Sequence, residues 1–456
     1  MSAQKRYNTY RQTFPEFVYQ DYEYTMQSDG LHMCFHFKLS DKLCFAVRSS
    51  VPTRQFINFS IPKDQLDLLV FNIGMAELVS YWKAFCPPLV RIVPHGLTEE
   101  QKCFWKKLYF NGLGEFFYVN GIRATIDDFM TIEAEGEPLK PVAFSQFDDK
   151  ASESFIVPIG GGKDSVVTLD CLQSYSTRLQ LDSPLPLIMN PRGATVECCR
   201  VAGYEHGDFL EIRRAIDPLL LDLNAKGALN GHTPFSAMLA FYTLLVSALT
   251  GRRHIALSNE SSANEATDIA NGVNHKYSKS LEFENDFRDY VSSFISPRFD
   301  YFSFLRPLSE LQIAMLFSRL PQYHDVFRSC NVGSKQDVWC GHCAKCLFAF
   351  IILSPFISPD RLAQYFGHNL LDDETLMLYF RQLAGLEPVK PFECVGTVAE
   401  VNTALRMTVD RWYANGEVPC LLRDFQPQGD SVSLSALASE HNLTEGLMNI
   451  LVAHVV

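Results

Sequence analysis

Short apolar runs alternate with longer amphipathic stretches through the middle of the chain. "FIVPI" (155–159), "PLIMN" (186–190), "DFLEIR" (208–213) and "HIALS" (254–258) read as strands. "DSVVTLDCLQSY" (164–175) reads as a helix, and so does 234–250. Thr233 is placed to cap the second helix, Pro234 suits its first turn and Gly251 ends it. Short apolar strands separated by helices predict parallel pairing through crossovers, and so an α/β domain. Pro158 cannot donate to a ladder, which puts it near the end of its strand. The C-terminal region reads as mostly helical, with Thr444 capping the last helix. The N-terminal region is rich in aromatics, including Tyr7, Tyr10, Phe14 and Phe17.

Two polar, proline-containing stretches, 133–154 and 385–393, mark candidate boundaries. They divide the chain into an N-terminal substrate-binding or capping domain (1–148), an α/β domain (149–370) and a helical C-terminal region (371–456). A length of 456 residues accords with two or three cores. A net charge of −12 argues against a nucleic-acid partner. No apolar run is long enough for a membrane span, and "MSAQKRYNTYRQTFPEF" lacks the apolar core of a secretory signal. Thirteen cysteines without an export signal point to free thiols or a metal site, and to the reducing cytoplasm.

The chemistry starts at "SFIVPIGGGKDSVVTLDCL" (154–172), where a strand runs into three glycines and then a helix. The Walker pattern fails, because Val157 stands where its first glycine belongs and Asp164 follows Lys163. The dinucleotide fingerprint fails at Ser165. Gly160-Gly161-Gly162-Lys163-Asp164-Ser165 instead resembles the S-G-G-x-D-S loop of the PP-loop ATP pyrophosphatases, with Gly160 replacing the first serine. Glycines allow close approach of phosphate, and a helix N-terminus favours the anion. The resemblance implies an adenine nucleotide alpha hydrolase-like parallel sheet and cleavage of ATP between its α and β phosphates. Lys163 and Asp164 would then serve the phosphates and Mg²⁺, and Ser165 a further phosphate oxygen. Asn190 ends the second strand, where it can meet adenine or ribose. Asn259, Glu260, Asn264 and Glu265 follow the fourth strand, and ligands in such sheets collect at strand ends.

Cys330, Cys340, Cys343 and Cys346 form a C-x9-C-x2-C-x2-C pattern suited to structural Zn²⁺. The pattern resembles the zinc site of 7-cyano-7-deazaguanine synthase, a member of the same ATP class. His342 is a competing ligand within the knuckle.

Together with "NGHTPFSA" (230–237), "SNESSANE" (258–265), "WCGHCAKC" (339–346) and "KPFECVGT" (390–397), the loop resembles the UDP-N-acetylmuramoyl-L-alanyl-L-glutamate epimerase family. The match covers about residues 110–400. It implies an isomerase of peptidoglycan precursor synthesis that inverts the terminal L-glutamate of a UDP-muramoyl dipeptide. ATP and Mg²⁺ would be consumed and bound, with AMP and pyrophosphate released. Candidate acids and bases are His232, Glu260, Glu265 and Glu284. The adjacent thiols Cys198 and Cys199 are weaker candidates, since neighbours in sequence point in different directions. Arg192, Arg200, Arg213, Arg214, Lys276, Lys279 and Arg306 are candidates for the diphosphate. The competing reading is an ATP-dependent ligase that modifies a nucleobase or tRNA.

Overall fold

The computed structural model describes residues 2–53, 61–148, 153–265, 274–414 and 416–455. The first sequence boundary, between 148 and 149, borders residues outside this set. The end of the loop after the fourth strand, 266–268, also lies outside it. The described chain forms two compact units. One comprises Met1–Ile156, Leu210–Ile255 and Tyr277–Tyr301, and the other Val157–Phe209, Ala256–Lys276 and Phe302–Val456. Each unit is therefore built from separated segments, whereas polar linkers mark only consecutive ones.

In the first unit, β1 (Glu16–Met26), β2 (Gly30–Ser40) and β3 (Leu43–Pro52) form an antiparallel meander. β4 (Leu89–Ile92) joins β1 in parallel and β5 (Thr131–Ala134) joins β4 in parallel. β8 (Leu210–Ala215) pairs antiparallel with β3, through Arg48 opposite Ala215 and Ser50 opposite Arg213. This corrects the expectation of uniformly parallel pairing for the "DFLEIR" strand. The helices here are α1 (Ala3–Thr13), α2 (Lys63–Trp82), α3 (Glu99–Gly112), α4 (Gly114–Val119), α7 (Pro218–Ala225), α8 (Phe235–Thr250) and α9 (Leu281–Phe294). Helix α2 is buried on nearly every side, as its lack of an apolar stripe requires. Gly74 lets it approach the sheet, because a Cβ there would fall 1.9 Å from the Tyr19 hydroxyl and 2.8 Å from Phe35. Gly251 ends α8 in the left-handed conformation, as expected. Thr233 does not cap that helix with its side chain; Pro234 occupies the cap position.

Strands β6 (Phe155–Pro158), β9 (His254–Leu257) and β10 (Asp300–Ser303) begin in the first unit and end in the second. β6 and β9 are parallel, with Phe155 opposite His254 and Ile156 opposite Ile255. Pro158 is the last residue of β6, where a missing donor is tolerated. In the second unit, β7 (Leu185–Met189) continues the pairing, since Ile159 N–H donates to Leu187 O at 2.8 Å. The helices there are α5 (Lys163–Leu179), α6 (Gly193–Val201), α10 (Glu310–Ser318), α11 (Ala344–Leu353), α12 (Pro359–Phe366), α13 (Met377–Leu383), α14 (Val398–Thr408) and α15 (Glu445–Val455). No strand follows residue 371 among the described residues, as the sequence pattern predicts. Thr444 Oγ1 accepts from Leu447 N–H at 3.4 Å at the start of α15. The chain is thus α/β, with a mixed rather than purely parallel first unit. No helix among the described residues is long and apolar enough to cross a membrane.

Arg214, a candidate diphosphate ligand on sequence grounds, serves the first unit's core instead. Its Nε and Nη2 each lie 2.6 Å from an oxygen of Glu77, a residue with 0% exposure. The Tyr242 hydroxyl donates to the same carboxylate at 3.0 Å. Removing one partner would leave a buried charge uncompensated. Arg214→Met is therefore expected to cost about 3–5 kcal/mol of stability in urea unfolding. An unchanged unfolding midpoint with weakened nucleotide binding would instead return Arg214 to the ligand role.

Candidate active site

The glycine loop leaves β6 and enters α5 at Lys163. Gly161 has φ of +81°, which favours glycine, and a Cβ there would press on Ala194 at 3.2 Å. Two contacts pin the loop's carbonyl: Arg328 N–H donates to Gly161 O at 2.7 Å, and Cys198 Sγ lies 3.8 Å from it. Gly162 is the N-cap of α5 and brings no side chain to the first turn. The neighbouring α6 differs, because Asp337 already accepts from Gly193 and Ala194 N–H at 2.6 and 3.0 Å. An external anion is thus better served at α5 than at α6. Ser165 turns its hydroxyl back onto Gly162 O at 3.1 Å.

Lys163 is 7% exposed and its Nζ donates to both Asp164 Oδ1 and Glu310 Oε2. Glu310, 2% exposed, stands in the first turn of α10, which Ser309 and Gln312 close with a reciprocal capping box. Its own N–H donates to Glu400 Oε1 at 2.8 Å. Glu400 Oε2 in turn accepts from Thr397 N–H at 2.6 Å, within the capping box of α14. Burial pushes the Glu310 carboxyl up to about 7 against the pull of the Lys163 ammonium. Burial works against the charge on Lys163, but Asp164 and Glu310 outweigh it and raise its pKa. Sequence reasoning missed Glu310. Its only local signal is "LSELQ", a capping box six residues past the end of β10.

The segment after β9 is tied down by buried cations. Glu260 accepts from Ser262 Oγ at 3.1 Å and lies 3.8 Å from Lys276 Nζ. Lys276 Nζ donates to Ser262 O at 2.6 Å and Val395 O at 2.9 Å, and burial lowers its pKa. Arg306, 1% exposed, donates to Glu260 O at 2.8 Å and Ser303 Oγ at 3.1 Å. Lys276 and Arg306 are therefore fasteners of this segment, which corrects their reading as diphosphate ligands. Asn259 donates to Ser303 Oγ at 3.0 Å, and Glu265 is paired with Lys390. Asn190 is exposed at the end of β7 with φ of +53°.

His232 and Glu284 belong to the first unit, unlike Glu260 and Glu265. His232 Nδ1 lies 3.5 Å from Glu115 Oε2, and Glu284 is buried in the first turn of α9. Cys198 and Cys199 are both buried on α6, and burial pushes the Cys198 thiol up to about 12. That protonated thiol, turned to the Gly161 carbonyl, is not poised as a base. Arg200 is paired with Glu197 at 2.6 Å and Arg213 lies 3.6 Å from Glu211. Arg192 is exposed and Lys279 half-buried.

The four sulfurs of Cys330, Cys340, Cys343 and Cys346 lie within 4.8 Å of one another. Cys330–Cys343, Cys340–Cys346 and Cys343–Cys346 measure 3.8, 3.7 and 3.5 Å. A tetrahedral zinc–thiolate site has sulfurs about 3.8 Å apart, so the donor set fits the ion. Cys343 caps α11 and Cys346 lies in its first turn, which fixes two ligands on one rigid element. His342 turns its Nδ1 to Cys340 O at 2.7 Å.

Comparisons with known proteins agree along the chain. The MurL N-terminal domain family matches residues 8–304 and the MurL C-terminal domain family residues 326–430. A UDP-N-acetyl-alpha-D-muramoyl-L-alanyl-L-glutamate epimerase of Xanthomonas oryzae pv. oryzae is 34% identical over 384 residues, covering 81% of this chain and 82% of the relative. Proteins of the same name from a Micromonospora species and Salinispora tropica are 36% and 37% identical. They cover 73% and 72% of this chain, and 73% and 70% of their own lengths. No solved structure matches significantly. With both halves matched and relatives aligned over most of their length, the chain belongs to the MurL family of UDP-N-acetyl-alpha-D-muramoyl-L-alanyl-L-glutamate epimerases.

Proposed function

We propose that this protein inverts the terminal L-glutamate of UDP-N-acetylmuramoyl-L-alanyl-L-glutamate to D-glutamate, coupled to cleavage of ATP to AMP and pyrophosphate. The observation that carries the reading is the shared identity with epimerases of that name over 72–81% of the chain. The relatives' names also disfavour a nucleobase- or tRNA-modifying ligase. The PP-loop assignment rests on the strand, the three glycines and the helix that opens on Lys163 and Asp164.

The chemistry gives the loop its purpose. A proton beside a carboxylate is hard to remove, because the carbanion would adjoin a full negative charge. The glutamate α-carboxylate attacks the α-phosphorus and pyrophosphate leaves, giving an acyl–AMP mixed anhydride whose acyl carbonyl no longer carries the carboxylate charge. A base then takes the Cα proton, and the charge moves onto the anhydride carbonyl. An acid returns a proton to the opposite face, and water releases AMP. Lys163 exchanges Glu310 for a phosphate oxygen, and the α5 amides meet the same group. Asp164 would hold the Mg²⁺ that accompanies ATP, shielding phosphate charge. Asn190 and Asn259, at the ends of β7 and β9, are the candidates for contact with the adenosine. Glu260, Glu265 and His232 are the candidates for proton transfer. We assign a structural Zn²⁺ to the cysteine quartet, where it would contribute folding energy directly.

Incubation with the dipeptide nucleotide, ATP and Mg²⁺ should yield AMP, pyrophosphate and D-glutamate in the hydrolysed product. ADP and orthophosphate would contradict the loop assignment. Lys163→Met should lower kcat by about 10²–10³-fold, as loss of one charge-stabilising donor does elsewhere, while the protein still folds but with a lower unfolding midpoint, since buried Glu310 loses its partner. Freshly purified protein should retain at least one zinc per chain after passage through a chelator. Cys343→Ser should lose that ion and much of its soluble yield. A zinc-free, fully stable wild type would rule out the structural-metal role.

A further inference from the structure

A second cluster of metal-binding side chains lies in the first unit, on the β1–β2 ladder. Core-facing Leu31, Met33, Phe35 and Phe37 are at most 2% exposed, so Cys34 and His36 between them share the opposite face. In the antiparallel register His36 stands opposite Asp21, and Cys34 opposite Glu23. One Sγ, one imidazole nitrogen and one carboxylate oxygen of Cys34, His36 and Glu23 fall within 4.8 Å of one another.

The orientation of His36 gives the cluster its meaning. Its Nδ1 is hydrogen-bonded to Asp21 Oδ1, and its Nε2 lies 3.4 Å from Cys34 Sγ. A carboxylate on Nδ1 fixes the tautomer, so that Nε2 offers its lone pair to the thiol side. Metal-bound histidines are held by a carboxylate in the same way. The sulfur–nitrogen separation also suits a shared ion. With Zn–S of about 2.3 Å and Zn–N of about 2.0–2.1 Å, tetrahedral geometry places the two donors about 3.6 Å apart. Cys34 is shielded whereas Glu23 is exposed, so one side stays open to solvent. A thiol–imidazole contact alone would explain Cys34 and His36, but not the converging third donor or the carboxylate behind the ring.

We propose that Cys34, His36 and Glu23 form a second transition-metal site, distinct from the cysteine quartet, with Asp21 as the residue that orients His36. A sulfur, a nitrogen and a carboxylate with an open fourth position suit Zn²⁺ or Co²⁺. Arg48, opposite Cys34 on β3 and exposed, is the one cation paired with the cluster in the described ladder. Its charge opposes the incoming ion.

Metal titration of the full chain tests this. Chelator-treated, desalted protein is titrated with Zn²⁺ or Co²⁺ alone, and bound ions are counted by elemental analysis. The quartet contributes equally in every variant, so the readout is a difference. Wild type should bind one ion more per chain than Cys34→Ser or His36→Ala, and the Co²⁺ form should lose a sulfur charge-transfer band in the former. Asp21→Asn should weaken the second ion by about 10–100-fold, as loss of an orienting partner does. Glu23→Gln alters an exposed side chain and keeps the test open should a strand variant misfold. Equal stoichiometry and affinity in wild type, His36→Ala and Glu23→Gln would overturn the proposal.

Discussion

A buried ammonium must be met by carboxylates, and Lys163 is met by two. Around that need much of the second unit's polar interior is arranged. Asp164 comes from the same turn, but Glu310 arrives from α10, 147 residues along the chain. Glu310 is itself fixed through its N–H by Glu400, and Glu400 by the first turn of α14. The glycine loop, α10 and α14 thus form one chain of charge and hydrogen bond. The C-terminal region accordingly has a definite structural role, because the start of α14 holds the backbone of the glutamate whose carboxylate holds the lysine.

The same logic explains the segment after β9. Lys276 and Arg306 are shut away from water and commit their donors to Ser262, Val395, Ser303 and the Glu260 carbonyl. They bring Glu260 to a fixed place beside a charged neighbour, 3.8 Å from Lys276 Nζ. Glu260 also acts electrostatically on Glu310, so the loop and this segment share one field. A nucleotide phosphate arriving at α5 would enter that field and draw Lys163 away from Glu310.

What the sequence made legible was local. Strand, glycines, lysine and helix lie within twenty residues, and the register of β6 and α5 follows from apolar spacing and Pro158. The cysteine quartet was legible for the same reason, as three of its members lie within seven residues. Long-range pairing was not legible. Arg214, Lys276 and Arg306 read as candidate diphosphate ligands because their partners, Glu77, Ser262 and Glu260, carry no mark of burial in the sequence. Glu310 went unnoticed because a lone glutamate in a helix's first turn is ordinary. The interleaved units escaped because a chain that leaves one core and returns needs no linker. The β1–β3 meander was hidden by aromatics that suggested a binding surface but mainly fill the core, as Phe17, Tyr19, Phe35 and Phe37 do.

The central claim is that carboxylate activation at the glycine loop serves to acidify the glutamate Cα. Running the reaction in heavy water with the L-glutamate-terminated nucleotide measures this directly. If the claim holds, deuterium enters at Cα of the D-product only when ATP and Mg²⁺ are present, because the returned proton comes from an acid equilibrated with solvent. Exchange or inversion at full rate without ATP, or pyrophosphate release with Cα keeping both hydrogen and configuration, would contradict it.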